Sequence, residues 1–142
     1  MLMDKSEICA RIPHAGAMCL LDGVLSWDER HIACTTSSHR ATDNPLRREG
    51  RLHAVCGLEY AAQAMALHGG LTSAVHAPPC RGYLASLREL ICGVMYLDTI
   101  EGDLMVEAER LLQQGSGIIY EFRVSCTTGA LVSGRAAVVL QP

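Results

Sequence analysis

The sequence predicts an α+β fold in which a curved antiparallel sheet wraps one long central helix, and three observations lead there. Residues 53–68 form a single alanine-rich segment of helical character, followed by Gly69 and Gly70, the residue type that most often closes a helix. From residue 82 onward the chain changes to period two, the repeat of strands covered on one face. No other segment is long enough to bury the helix, so the sheet must do it. Alanines at 54, 61, 62, 64 and 66 let that sheet come close.

Taken in order, residues 5–12 suit a short helix that ends ahead of Pro13, since a residue before proline avoids the helical region. Residues 17–26 and 31–37 read as strands joined by the polar turn Trp27-Asp28-Glu29-Arg30. A loop rich in Asn, Pro, Gly and charge fills 38–52. The helix over 53–68 is about 24 Å long at 1.5 Å per residue. A Pro78-Pro79 break follows, and residues 82–97 read as one long bent strand with Gly93 as its bulge. In 103–112, Leu104, Val106 and Ala108 alternate with Met105, Glu107 and Glu109. In 118–126, Ile118, Tyr120, Phe122 and Val124 alternate with residues that include Glu121 and Arg123, and 131–140 supplies a last strand. The turns at 114–117 and 127–130 carry hairpin chemistry.

The 142 residues are read as one domain, 1–142, long enough to bury roughly two thirds of its unfolded surface. Hydrophobic content of 49% against 19% charged residues excludes disorder. One Trp and one Phe leave no stacking platform for single-stranded nucleic acid, and a net charge of −3 gives no footprint for DNA. The seven cysteines are odd in number, lack any Cys-x-x-Cys and lie scattered in apolar segments. They read as buried free thiols rather than as a disulfide framework or a metal site. The N-terminus mixes charges and lacks a signal-peptide core, and no run approaches the ~20 apolar residues that span a bilayer. A reducing cytoplasm is the expected compartment, and no metal or cofactor is expected.

One carboxylate, Glu59, stands on the otherwise apolar helix. It is either paired, with Arg47, Arg48 or Arg51 of the preceding loop, or used chemically. His39 lies in that loop and His53 at the helix start; the plain reading of either is a solvent-facing ring. His68 suits the helix C-terminal dipole, while His31 and His76 read as turn residues. Gln63 is one turn beyond Glu59 on the same face, either as a core-edge amide or as an aid to the carboxyl. Arg40, Arg47, Arg48 and Arg51 against Asp43 and Glu49 give the loop a local excess of +2 (four minus two) on a negative chain.

Four words in order carry a resemblance. Ile12-Pro13-His14 is followed by Met18-Cys19-Leu20-Leu21-Asp22; Glu59-Tyr60-Ala61-Ala62-Gln63-Ala64 lies mid-chain; Gly82-Tyr83-Leu84-Ala85 opens the second half; and three strands end it. Together they resemble the hotdog-fold 3-hydroxyacyl-ACP dehydratases. The string from Glu59 to Leu71 is most similar to a divergent branch tied to aryl-polyene-type lipid pathways. The resemblance implies a hotdog fold, an acid at Glu59, His14 in a turn after the first helix, and a homodimer or dimer of dimers in which the histidine and the acid come from opposite subunits. It also implies an acidic acyl carrier protein as partner, with the basic loop 39–52 near the site mouth. One departure stands out. Counting back from Glu59, the family's catalytic histidine falls on Pro45, preceded by Asn44, and the nearest substitutes are His39 and His53.

Dehydration of a 3-hydroxyacyl thioester needs a base for the C2 proton, an acid for the C3 hydroxyl, and donors for the enolate oxygen. An imidazole near its ordinary pKa of ~6.5 suits the base, so His39 is assigned that role. A carboxyl on an apolar helix tends to stay protonated, which suits Glu59 as acid. Backbone N–H groups at the helix start, Ala54 and Val55, would hold the thioester oxygen, one donor being worth ~2.7–4 kcal/mol. Gln63 would orient the carboxyl or bind the leaving water, and Met65, Leu67, Ile91 and Met95 would line an acyl tunnel. Two alternatives remain open. One is a hotdog thioesterase in which Glu59 activates water. The other is a non-catalytic subunit that binds acyl-ACP or a paralogous partner.

Overall fold

A computed structural model describes residues 1–12, 18–73 and 81–141. Asp4 caps the first helix: its carboxylate accepts from the Glu7 N–H at 3.0 Å, and the Glu7 carboxylate accepts from the Asp4 N–H at 3.4 Å. This reciprocal cap starts α1 (Lys5–Arg11), which follows β1 (Met3–Asp4) and buries Ile8. Asp28 makes the next turn, its carboxylate accepting from the N–H groups of Arg30 and His31 at 2.8 Å each. It joins β2 (Gly23–Trp27) to β3 (His31–Thr36).

A 3₁₀ turn over Ala54–Cys56 leads into α2 (Gly57–Thr72). The four strands that follow are β4 (Arg81–Cys92), β5 (Leu104–Gln114), β6 (Gly117–Cys126) and β7 (Gly129–Gln141). All pairings are antiparallel, in the order β1-β2-β3-β5-β6-β7-β4. The period-two reading holds: Leu104, Val106 and Ala108 on β5 and Ile118, Tyr120, Phe122 and Val124 on β6 all point into the core. They meet Tyr60, Ala61, Ala64, Met65 and Leu67 of α2. Gly57 is what admits the helix start to β7, because a Cβ there would sit 3.1 Å from Val132 Cγ2. Of the spaced alanines, Ala54, Ala61 and Ala64 are buried, whereas Ala66 faces outward.

Several boundaries move. Residues 18–22 are not strand; they run as a loop pinned by side chains. The helix does not stop at Gly69-Gly70. Thr72 and Ser73 hydroxyls donate to the carbonyls of His68 and Gly70 at 2.8 and 2.9 Å, so the last turn is closed beyond the glycines. Gly93 is not the bulge of β4. The strand ends at Cys92, and its irregularities fall between Leu84 and Ser86 and between Arg88 and Ile91, where Glu89 takes φ 55°. The expected thiols are also partly wrong, since Cys9 and Cys19 form a disulfide. Cys34, Cys56, Cys92 and Cys126 are free, but of these four only Cys34 is buried, where burial pushes its thiol up to about 12, and Cys92 is exposed. The turn expected at His14, the turn residue His76 and the Pro78-Pro79 break lie outside the described residues. No helix among the described residues is long and apolar enough to cross a membrane.

Candidate active site

Glu59 sits in the first turn of α2, half-buried, with Gln63 one turn further on the same face. Gln63 is buried, and its amide is fully committed. Its Oε1 accepts from the Leu20 N–H at 2.9 Å, and its Nε2 donates to Met18 O at 2.6 Å and to Glu59 Oε1 at 3.4 Å. One amide therefore clamps the 18–20 segment to the helix and touches the acid. A role in binding the leaving water does not fit this arrangement, because the groups that would hold water already hold the backbone.

The loop before the helix is built on Tyr60. Its hydroxyl pairs with the Ser38 hydroxyl at 2.8 Å and accepts from Asn44 Nδ2 at 3.0 Å. Asn44 Nδ2 also donates to Ser38 O, and its Oδ1 accepts from the Leu46 N–H at 2.9 Å, an Asx turn of the kind Asn-Pro sequences favour. Burial raises the Tyr60 phenol's pKa against the opposing bonds from Ser38 and Asn44. Asn44, the residue before the position at which dehydratases of the resembling family present a histidine, is thus a structural latch here. The Asn-Pro turn signal and a tyrosine beside the acid were visible in the sequence; that they close on each other was not.

His39, expected as the base, lies in a 3₁₀ turn (Ser38–Arg40) with no exposed surface. Its Nε2 donates to Ile100 O at 2.9 Å, and Nδ1 is buried without a hydrogen-bond partner. Burial, with a smaller push from Arg40, lowers its pKa despite the bond to Ile100. An imidazole so enclosed does not reach a substrate, so the base role expected for it is not supported by this placement. His53 is exposed and tilts against Tyr96 with ring centroids 5.1 Å apart. His68 is not at a solvated helix end but in the core, where Tyr120 OH lies 2.8 Å from Nδ1 and Asp28 O 2.9 Å from Nε2. His31 lies 3.1 Å from Glu107.

The helix start offers fewer donors than expected. The Ala54 N–H is spent on Met95 O at 2.9 Å, in a short pairing of residues 52–54 with 95–97, which leaves Val55 of the two. The arginines also divide. Arg47 donates to the carbonyls of Ala41, Gly50 and His39 and so shapes its own loop. Arg51 pairs with Asp98 at 3.0 Å and lies over the Tyr96 ring, 3.7 Å from its centroid. At Asp98 burial raises the carboxyl, but the Leu52 N–H and Arg51 outweigh it and the pKa is lowered. Arg40 and Arg48 remain exposed. The expected tunnel residues differ in burial: Met65 and Leu67 are buried, while Ile91 and Met95 are 63% and 71% exposed. Two surface clefts of about 290 and 230 Å³ lie among the described residues, and neither is lined by Glu59.

A model of the ApeP-like family, described as ApeP dehydratase, matches residues 6–142. Among solved structures, the dehydratase heterocomplex ApeI:P from Xenorhabdus doucetiae matches at 25% identity and TM-score 0.78, over 95% of this chain and 91% of that one. A thioesterase from Haemophilus influenzae matches at 10% identity and TM-score 0.67, over 99% of this chain and 92% of the other. A thioesterase mutant from Pseudomonas aeruginosa matches at 14% identity and TM-score 0.66, over 100% and 96%. The last two show the fold alone, and with the strand order above they make it a hotdog. A sequence search of curated proteins gives no match.

Proposed function

Since the chain belongs to the ApeP-like dehydratase family, we propose that it dehydrates 3-hydroxyacyl thioesters on an acyl carrier protein, giving the trans-2-enoyl thioester. The observation that carries this reading is Glu59, a half-buried carboxylate on the central helix, touched by an amide whose other bonds fix it in place. Protonated, such a carboxyl gives its proton to the C3 hydroxyl as water leaves. A base takes the C2 proton, and the Val55 N–H is the donor left at the helix start for the thioester oxygen.

The base is an imidazole supplied by a second subunit. His39 is enclosed and Asn44 is latched on Tyr60, so the loop from which a base would come is structural. That the Xenorhabdus relative works in a dehydratase heterocomplex supports a paralogous partner rather than a second copy. The exposed Arg40 and Arg48 would meet the acidic face of a carrier protein, speeding encounter more than strengthening binding.

Mass spectrometry of a 3-hydroxyacyl carrier-protein substrate, with the chain alone and with its paralogous partner, tests the reading. Loss of water with the thioester intact, only when both subunits are present, is expected. Free acid plus thiol would make the protein a thioesterase. Full turnover by the chain alone would place the base in this chain.

A further inference from the structure

We propose that the Cys9–Cys19 disulfide is a redox-sensitive staple that sets how firmly Gln63 holds its place beside Glu59. The inference rests on the reading of Glu59 given above and adds a means of regulating that site. Cys19 stands between the two residues that Gln63 grips, Met18 through its carbonyl and Leu20 through its N–H. The carbonyl of Cys19 itself accepts from Lys5 Nζ at 2.7 Å, and Leu20 O accepts from the hydroxyls of Thr36 and Ser38 at 2.6 and 2.7 Å. The disulfide ties this segment to the last turn of α1, a helix of seven residues whose own anchor in the core is Ile8. Opening the bond removes the crosslink from α1, so that the Lys5 contact and the apolar packing of Cys19 and Leu20 are left to hold the segment. Gln63 then grips a looser segment, and its 3.4 Å contact with Glu59 is the weakest of its three bonds.

The two sulfurs differ in access. Cys9 is half-buried, whereas Cys19 is 1% exposed. A dithiol reductant therefore attacks the Cys9 sulfur. The S–S bond breaks, and Cys19 leaves with the electron pair as a thiolate and then takes a proton. The reductant's second thiol attacks the mixed disulfide on Cys9 and releases its thiolate, which is protonated in turn. The protein gains two electrons and two protons, and the dithiol becomes a cyclic disulfide.

Differential alkylation, NMR and turnover on the air-oxidised and dithiothreitol-reduced protein test this, with the paralogous partner present in the turnover assay. Three results are expected on reduction: Cys9 and Cys19 become alkylated, the Gln63 side-chain amide and Leu20 backbone amide signals move, and kcat falls about tenfold with KM held. That fall lies within the ~10²-fold that a misplacement of about 1 Å costs. The Cys9→Ser and Cys9→Ser/Cys19→Ser proteins should show the reduced values under both conditions. Thiols open in both states, unmoved Gln63 and Leu20 signals, or a double variant that still responds would each overturn the proposal. Loss of the folded spectrum on reduction would also overturn it, by making the bond a structural requirement only. The alkylation and NMR arms need no turnover, so they decide the staple even where the dehydratase reading fails.

Discussion

Gln63 shows how one polar side chain earns a buried place. It satisfies the Leu20 N–H and the Met18 carbonyl while bearing on Glu59. Gln63→Ala leaves those backbone groups unpaired, and each buried group left so costs about 1–3 kcal/mol. Urea unfolding should show that loss; a change within about 0.5 kcal/mol, the range of an ordinary surface substitution, would mean the clamp is dispensable. The buried histidines make a second prediction. Burial lowers the pKa of His39 and of His68 from the ordinary 6.5, so the unfolded chain takes up protons first as pH falls. Their contribution to stability is therefore complete above 6.5 and is lost as pH drops through and below it. Melting temperature should fall between about pH 7.5 and about 5.5, and less steeply in His68→Gln. An equal slope in that variant would exclude His68 as a source.

Helix α2 makes a sharper claim through its end. Because it runs through Gly69 and Gly70, and a Cβ at either meets nothing within 4 Å, alanine at each should stabilise the protein by about 0.5–1 kcal/mol. Had the glycines closed the helix in a left-handed turn, the same changes would destabilise, so thermal melts of Gly69→Ala and Gly70→Ala decide the point. The difference shows what sequence reading sees. The alternation of β5 and β6 and the hairpins around Gly115 and Gly129 are local signals and were legible. The helix end was not, because it depends on Thr72 and Ser73 hydroxyls and on His68 reaching Tyr120 and Asp28. The bulges of β4 answer to its pairing with β7, which no pattern within β4 reveals. The disulfide was missed for the same reason: ten residues apart in sequence, its cysteines are brought together by α1 folding back on the 18–20 loop.

In the whole molecule, β4 ends the sheet order and carries Tyr83, Leu84 and Ile91 with about half or more of their surface exposed. Long apolar edges of this kind pair with other chains, which is the assembly the proposed site requires. Leu84→Glu should weaken association with the proposed paralogous partner in gel filtration while leaving the circular dichroism of the chain unchanged; an unaltered complex would place the interface elsewhere. The site itself was half legible. Glu59 and Gln63 share a face by helical spacing alone, whereas the fate of His39 depended on the 97–103 loop closing over it through Ile100. Glu59 is the residue on which the account stands, and the two-subunit turnover of a Glu59→Gln protein tests it most directly. A fall of about 10²-fold or more in the dehydration rate, with complex formation and melting temperature unchanged, is the predicted result. Near-normal dehydration by that protein would contradict the account.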